Sequence, residues 1–354
     1  GTPCSPPPPR RPHASAIRGE RRKPLPFFDL DQVVITINAA EVLARATDPA
    51  GPGANDYWDR LRAGGTTAFA ATTGMGQFPA WYRRFREDAD SLIHVTSAED
   101  VRRADADGKL GVIFHLQKPG DLEGSPERVE ILYRLGVRMM QLTYNDRSLF
   151  GDGCTERGDG GLSDLGAKVV AAMNAMGMLV DVTHAGPRTA RDIVEASSVP
   201  VIASHSNADA VCPNPRNLSD ELMLAIAAGG GMVGVTAFPS LVRWQEPTIE
   251  QFLDHIDYIT DLIGRDRVGF GLDFCQIPQE SWDSGRFSPK AYPPPPWVFP
   301  DGLAGPEDIP DIAEGLRGRG YDEASVRGIM GENLLRLFEH VWKPVGQSTA
   351  PSQE

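Results

Sequence analysis

The feature that most constrains the fold is an alternation of eight short apolar runs, rich in β-branched residues, with segments of helical periodicity. The runs cover residues 33–37, 66–71, 110–116, 137–142, 178–182, 201–203, 232–236 and 268–271. A nearly continuous apolar run is typical of a strand buried on both faces, as in a parallel sheet surrounded by helices. Eight such units predict an α/β fold of the (β/α)8 TIM-barrel type, with a doubly wound open sheet as the alternative.

Nucleotide-binding loops would favour the open sheet, and the sequence supports none. The Gly-x-Gly-x-x-Gly match at residues 229–234 runs into an apolar run, whereas a dinucleotide fingerprint links a strand to a helix. We interpret this match as the end of a helix and a turn. The Gly108-Lys109 pair is followed by Leu110, so it does not form a phosphate-binding loop either.

The charge balance limits the possible partners. Acidic residues outnumber basic residues, 48 against 35, which leaves a formal net charge of −13. Because such a surface repels phosphate backbones and anionic lipid headgroups, we expect no nucleic-acid and no membrane partner. No run approaches the roughly 20 apolar residues of a membrane helix. The four cysteines are far apart, which predicts reduced thiols in a cytoplasmic protein.

Composition along the chain predicts a large central domain with a tail at each end. Residues 1–26 are rich in Pro and Arg and are predicted to be a flexible tail. Residues 27–343 are predicted to form the catalytic barrel, and residues 344–354 a disordered tail. The Pro-rich segment 288–300 follows the last apolar run, and it is either a substrate lid or a rigid surface loop.

Polar residues that follow the apolar runs are the candidate site residues, because loops at the carboxyl ends of barrel strands assemble the active site. They are Asn38, Gln117, Tyr144, Asn145, Asp146, His184, His205 and Asp273. His115 lies one position before the end of its run, so it faces either the barrel mouth or the barrel wall.

Two histidines and one carboxylate of this set indicate metal chemistry. His184 and His205 follow consecutive runs, which places both imidazoles on one rim, and Asp273 follows the last run. Two histidines and a carboxylate form a common catalytic zinc set that leaves one position open for water. The residues therefore predict a zinc site. Ser204 and Ser206 lack the surrounding glycines of a nucleophile elbow, so a serine hydrolase is not supported.

Ordered blocks from residue 135 onward resemble the membrane (renal) dipeptidases, a family of zinc peptidases. Seven of these blocks are Leu-Gly-Val-Arg with Gln-Leu-Thr-Tyr-Asn, Gly-Leu-Ser-Asp-Leu-Gly, Asp-Val-Thr-His, Ser-His-Ser-Asn-Ala, Asn-Pro-Arg-Asn-Leu-Ser-Asp, Val-Gly-Phe-Gly-Leu-Asp-Phe and Gly-Ile-Met-Gly-Glu-Asn. The resemblance covers about residues 33–342, and the block at residues 151–156 is similar to a bacterial branch. It implies an amidohydrolase-like barrel in which a bridging Glu joins two metals, one held by a His-x-Asp pair and the other by two His.

The resemblance also implies roles for individual residues. The two-histidine site falls on His184 and His205, and the Asp after the last strand falls on Asp273. The Arg that binds the substrate carboxylate falls on Arg216, and Tyr144 replaces the family's transition-state His. We expect Asn145 to contact substrate at the same mouth.

The other metal position departs from the family. Where the family has His-x-Asp, this chain has Ile37-Asn38-Ala39, and the bridging Glu is replaced by Gln117. Neither Ile nor Ala ligates a metal, and a neutral amide is a weak ligand, so we expect one zinc ion or none and assign Gln117 to substrate binding. If only ligands are missing, the triple change Ile37→His, Ala39→Asp, Gln117→Glu should raise the zinc content from one ion toward two.

Three functions fit these residues. The first is a metal-dependent hydrolase of a dipeptide or small amide, in which Asp273 transfers a proton and Tyr144 donates to the oxyanion. The second is a non-hydrolytic enzyme, an isomerase or tautomerase, that acts on a peptide-derived metabolite in the same pocket. The third is a non-catalytic homologue that binds a carboxylate through Arg216. A homodimer is left open.

Overall fold

This computed structural model describes residues 34–42, 54–275, 279–284, 289 and 292–344. The tail predicted at residues 1–26, and all of the tail predicted at 344–354 except Pro344, lie outside the described residues. The predicted domain boundaries therefore stay a prediction.

A parallel barrel of eight strands forms the centre of the molecule, and a ninth strand is attached to it. The strands are β1 (Ile37–Glu41), β2 (Ala68–Thr72), β3 (Leu92–Val95), β4 (Leu110–Leu116), β5 (Val137–Gln141), β6 (Leu179–Asp181), β7 (Ile202–Ala203), β8 (Met232–Val235) and β9 (Val268–Phe270). The barrel closes because β9 pairs with β1, where Asn38 lies beside Phe270, and because β2 pairs with β4. The predicted (β/α)8 fold is confirmed.

Strand β3 was not among the predicted strands. It pairs with the first half of β4, up to Ile113, and β5 pairs with the second half from Phe114 onward. The two strands therefore share one edge of β4. A four-residue segment with a histidine in it has too little apolar periodicity to predict a strand.

The prediction for the first strand was wrong in position. A strand was expected at residues 33–37, but β1 begins at Ile37 and ends at Glu41, so Asn38 lies within the strand instead of after it. The Asn38 Oδ1 atom accepts a hydrogen bond of 2.9 Å from the backbone N of Leu272, just beyond β9. An apolar run indicates a strand without marking its ends, and here the pairing with β9 decides them.

Helices follow the strands and surround the barrel. They are α1 (Ala54–Ala63), α2 (Phe78–Glu87), α3 (Ala98–Ala106), α4 (Arg128–Arg134), α5 (Asp164–Met176), α6 (Pro187–Ala196), α7 (Asp220–Ala228), α8 (Pro239–Val242), α9 (Ile249–Ile263), α10 (Gln279–Asp283), α11 (Ile309–Gly318), α12 (Glu323–Arg327) and α13 (Asn333–Val341). Helix α5 shows how the sequence sets such boundaries, because the Ser163 hydroxyl caps its first turn and Gly177, with φ of 82°, ends it. None of the helices in the described ranges is long and apolar enough to cross a bilayer.

An apolar layer fills the barrel at the end where the strands begin. Ile37 and Ala39 of β1 are fully buried in it, together with Ile113 of β4. Leu334 and Phe338 of α13 pack against this layer and close that end of the barrel. The opposite end, where the strands finish, is therefore the one that is available for a site.

Candidate functional site

Three of the predicted site residues adopt a backbone conformation that residues other than glycine rarely occupy. Asn145, His184 and Asp273, in the loops after β5, β6 and β9, have φ angles of 61°, 69° and 55°. Such a conformation costs about 1 kcal/mol or more per residue, and strained residues of this kind cluster at functional sites. The carboxyl-end rim of the barrel is therefore the candidate site.

The two rim histidines face each other through their Nε2 atoms, which are 3.0 Å apart. Both rings are buried, and each Nδ1 atom has its own partner. The His184 Nδ1 atom lies 2.7 Å from the amide oxygen of Asn145. Since an amide oxygen only accepts hydrogen bonds, His184 carries its hydrogen on Nδ1 and a lone pair on Nε2.

His205 has the same protonation pattern for a different reason. Its Nδ1 atom lies 2.7 Å from the Ser204 hydroxyl, whose hydrogen is donated to the Asp181 carboxylate at 2.5 Å. Ser204 therefore accepts from His205 Nδ1, and the His205 Nε2 lone pair points at that of His184. Burial and then the charge of Arg216 hold the pKa of both imidazoles well below the usual value. With the hydrogens on Nδ1, the two facing lone pairs repel each other, and a cation between them would remove this repulsion.

The separation of these nitrogens was compared with that of two zinc ligands. Zinc–nitrogen bonds of about 2.0–2.1 Å at tetrahedral angles place two ligand nitrogens roughly 3.3 Å apart. The observed 3.0 Å between Nε2 atoms needs only a slight outward movement of the rings. Among the described residues no three His, Cys, Asp or Glu side chains converge closely enough to hold a metal. The histidine pair fits a zinc ion, and Asp273 would have to move toward it to become a third ligand.

Asp273 and Tyr144 line the same cavity at the mouth, and Tyr144 also contacts the histidine pair. Burial raises the pKa of Asp273 to about 7, with Arg216 acting in the opposite direction, and its Oδ1 atom has no hydrogen-bond partner within the described part of the chain. The Tyr144 ring stacks on His184 with 4.1 Å between ring centroids. Burial raises the pKa of Tyr144 well above its usual value, so its hydroxyl stays protonated.

A cavity of about 470 Å³ opens at this mouth. The predicted substrate-binding residue Gln117 lines it, together with Tyr144 and Asp273. The Gln117 Nε2 atom has no hydrogen-bond partner among the described residues. The remaining wall is Val42, Thr72, Thr73, Gly74, Gln77, Lys118, Gly120, Asp121, Phe238, Cys275, Tyr292 and Trp297.

Part of the Pro-rich segment forms the aromatic wall of this cavity. Tyr292 and Trp297 are buried and pack on Phe238, with ring centroids 5.3 and 4.8 Å away. The Tyr292 hydroxyl accepts a hydrogen bond from Asn145 Nδ2 and donates one to the Tyr144 hydroxyl, both 3.2 Å long. Tyr292 and Trp297 of this segment are therefore part of the cavity wall, whereas Val298 is exposed. Sequence reasoning did not identify Tyr292, which is 147 positions from Asn145.

Arg216 lies on the other side of the histidine pair. It lines a second cavity of about 450 Å³ with His184 and Asn214, and it is absent from the lining of the first cavity. Its guanidinium donates to the His205 carbonyl at 3.1 Å and to the Ser206 hydroxyl at 3.4 Å, while Nε has no partner among the described residues. In the part of the chain that the structure describes, no carboxylate pairs with this buried cation.

Sequence reasoning also missed Glu41, the last residue of β1. Its carboxyl is fully buried and accepts hydrogen bonds from Asn38 Nδ2 at 2.6 Å and from the Tyr57 hydroxyl. Burial raises the pKa of Glu41 well above its usual value, and the charge of Asp273 adds to this effect. Glu41 could have been found, because polar residues at the ends of strands were the candidate site residues. It was missed because the predicted strand ended at residue 37, four residues before the end of β1.

The orientation of His115, which the sequence left open, is decided by Asp181. The His115 Nε2 atom lies 3.0 Å from Asp181 Oδ2 inside the barrel. Gln141 Nε2 donates to the same oxygen at 2.9 Å. Burial opposes ionisation of Asp181, but the hydrogen bond and charge of His115, the charge of His205 and the Ser204 hydrogen bond hold its pKa well below the usual value. A polar side chain within a strand gives no sequence signal of such a network.

The barrel and the position of the rim residues are those of the amidohydrolase class, and a solved amidohydrolase structure is similar to this chain. An amidohydrolase structure from Pseudomonas aeruginosa is 32% identical to this chain, with a TM-score of 0.80, and the match covers 87% of this chain and 97% of that one. The family model for membrane dipeptidase (peptidase family M19) matches residues 55–287. The chain belongs to the membrane dipeptidase family, whose members are peptidase-like hydrolases, and the predicted resemblance is confirmed.

Two curated relatives carry dipeptidase names. Dipeptidase verJ of Clonostachys rogersoniana is 29% identical over 255 residues, which are 72% of this chain and 61% of the relative. Dipeptidase 3 of Mus musculus is 31% identical over 278 residues, which are 75% of this chain and 52% of the relative. The chain thus spans between half and two thirds of the length of these dipeptidases.

Proposed function

We propose that this protein is a single-zinc hydrolase that cleaves a dipeptide or a small amide. His184 and His205 would hold the ion, and Asp273 would complete the site. The observation that carries the proposal is the pair of buried Nε2 atoms, 3.0 Å apart, which both present lone pairs when each imidazole keeps its hydrogen on Nδ1. Membership in a family that includes named dipeptidases supports the substrate class.

Asp273 is the candidate for proton transfer. A zinc ion, when bound, lowers the pKa of water toward about 7 and polarises a carbonyl oxygen. A carboxyl group with a pKa of about 7 exists in both protonation states near neutral pH, so it can accept a proton and return it to a leaving amine. The Oδ1 atom, which has no partner among the described residues, leaves one oxygen available for this exchange.

Tyr144 and Arg216 are the candidates for stabilising and holding the substrate. The Tyr144 hydroxyl stays protonated and lines the mouth cavity, so it can donate to an oxygen that gains negative charge. The Arg216 guanidinium is buried without a carboxylate partner in the described residues, and the carboxylate of a substrate that extends into the second cavity would offset its charge. Asn145 orients His184 and Tyr292 by its hydrogen bonds, so a substrate contact from it would compete with these.

Elemental analysis and turnover test this proposal on protein purified without added metal. We expect about one equivalent of zinc per chain and hydrolysis of a panel of dipeptides. Two tightly bound equivalents would contradict the single-ion site. His340→Ala, at an exposed histidine on α13, is the matched control for the variants His184→Ala and His205→Ala, and it should keep the zinc content of the parent.

A non-hydrolytic enzyme of the isomerase or tautomerase type is the second candidate. The observation that favours it is that two imidazoles, but no third donor, converge in the described residues. Tyr144, Asp273 and His184 would then act as acid and base. Protein that contains no zinc and does not hydrolyse dipeptides would favour this candidate, or a carboxylate-binding homologue that uses Arg216.

A further inference from the structure

Asp181, at the end of β6, receives an unusually complete set of hydrogen bonds inside the barrel. Its Oδ1 atom accepts from the backbone N atoms of Thr183 and Ser204, at 3.0 and 3.1 Å, and from the Thr183 hydroxyl at 2.7 Å. Its Oδ2 atom accepts from Gln141 Nε2 at 2.9 Å and from the Ser204 hydroxyl at 2.5 Å. A carboxyl group surrounded by donors is ionised and acts only as an acceptor.

This carboxylate determines the direction of the next hydrogen bond. The Ser204 hydroxyl has a single hydrogen, which it donates in a hydrogen bond to the Asp181 carboxylate at 2.5 Å, because an ionised carboxylate can only accept. The Ser204 oxygen is then left as an acceptor for His205 Nδ1 at 2.7 Å. Asp181 and His205 are thus joined by two hydrogen bonds that run in one direction.

We infer that Asp181 is a positioning residue, which holds His205 in the Nδ1–H tautomer through Ser204 and so keeps the Nε2 lone pair directed at His184. The inference rests on the proposed function in one respect, because that lone pair is the proposed zinc donor. The relay, which consists of Asp181, Ser204 and His205, lies in the barrel interior below the rim, and all three residues are buried. Partners that orient a metal-binding histidine in this way raise its affinity for the metal.

The two histidines of the pair are oriented by separate devices. His184 is held by the neutral amide of Asn145, in the loop after β5, and His205 by the ionised Asp181 through Ser204. A change in the relay should therefore alter the protonation pattern of His205 and leave His184 in its Nδ1–H form. This selectivity separates a positioning role from general damage to the site.

The relay is tested by ¹H–¹⁵N NMR of histidine ring nitrogens in the metal-free protein and by zinc affinity from chelator competition. Ser204→Ala removes the hydroxyl, and Asp181→Asn replaces the carboxylate with an amide that can donate to Ser204. We expect both variants to shift His205 toward the Nε2–H tautomer, and zinc binding to weaken about 10–100-fold. Ser206→Ala is the control, because this buried serine flanks His205 and bonds Arg216 instead.

Ser204→Ala keeps the test decisive if Asp181→Asn does not fold. The inference is overturned if His205 stays in the Nδ1–H form in Ser204→Ala with the zinc affinity of the parent, or if Ser206→Ala produces the same changes. The tautomer is measured without metal, so it tests the relay even if the parent binds no zinc. A parent protein that binds no zinc would overturn the proposed function but not the role of Asp181.

Discussion

Restoring the family's ligand types in β1 is expected to damage the protein instead of creating a second zinc site. The sequence suggested that Ile37→His and Ala39→Asp, with Gln117→Glu, would raise the zinc content. Ile37 and Ala39 are, however, fully buried in the apolar layer that Leu334 and Phe338 of α13 close. A histidine and a carboxyl group placed there would lie among hydrocarbon side chains without hydrogen-bond partners.

The expected cost follows from burial. Loss of a fully buried isoleucine side chain costs about 2–5 kcal/mol, and a buried imidazole or carboxyl group without a partner adds about 1–3 kcal/mol each. The double variant Ile37→His/Ala39→Asp should therefore lose about 4–11 kcal/mol of unfolding free energy. This is comparable with the whole stability of an ordinary domain, about 5–15 kcal/mol. Gln117 differs, because it lines the mouth cavity and its Nε2 atom has no partner among the described residues.

Urea unfolding and elemental analysis of three proteins would decide the matter: the parent, the double variant and the single variant Gln117→Glu. We expect the double variant to be unfolded or to unfold at much lower urea concentration, with no gain in zinc. Gln117→Glu should unfold near the parent's midpoint. A double variant that keeps the parent's midpoint and binds a further zinc ion would refute the placement of Ile37 and Ala39 in the core.

Three further predictions concern single residues. His184→Ala and His205→Ala should each lose zinc in elemental analysis while their circular dichroism stays that of the parent, and full zinc retention by both would place the site elsewhere. Arg216→Lys should raise KM for a carboxylate-bearing dipeptide, because a point charge replaces a planar fork, and an unchanged KM would exclude that contact. The pKa of buried His255 is lowered to about 4 by burial, although its Nε2–H bond to the Val242 carbonyl raises it. Below pH 6.5 the imidazole of His255 binds a proton in the unfolded chain but not in the native protein. The free energy of unfolding should therefore fall as the pH drops from about 6.5 to 4, and the loss from this residue should be about 2 kcal/mol at pH 5. His255→Gln should remove that part of the pH dependence in urea unfolding, so parallel profiles for parent and variant would contradict the assignment.

The barrel and three of its rim residues could be predicted from local pattern. Apolar runs alternate with helical segments because each strand is buried on both faces, and this pattern survives without knowledge of the pairing. His184 and His205 follow consecutive strands, so the parallel topology alone brings them to one rim, and the structure places their Nε2 atoms 3.0 Å apart. Asp273 was found in the same way, although no local pattern reveals that burial raises its pKa to about 7.

Only the tertiary structure decided the position of β1 and the groups that orient the site. An apolar run has no marked ends, so the strand that places Ile37 in the core and Glu41 at the rim is set by hydrogen bonds to β9 and β2, far away in sequence. Tyr292 reaches Tyr144 across 148 positions. Asp181, at the end of β6, contacts His205 through Ser204, which follows β7, and no sequence pattern indicates this pair of hydrogen bonds. Local sequence determines which side chains leave the end of a strand, whereas the partners that direct their protons and charges come from distant segments and exist only once the barrel has closed.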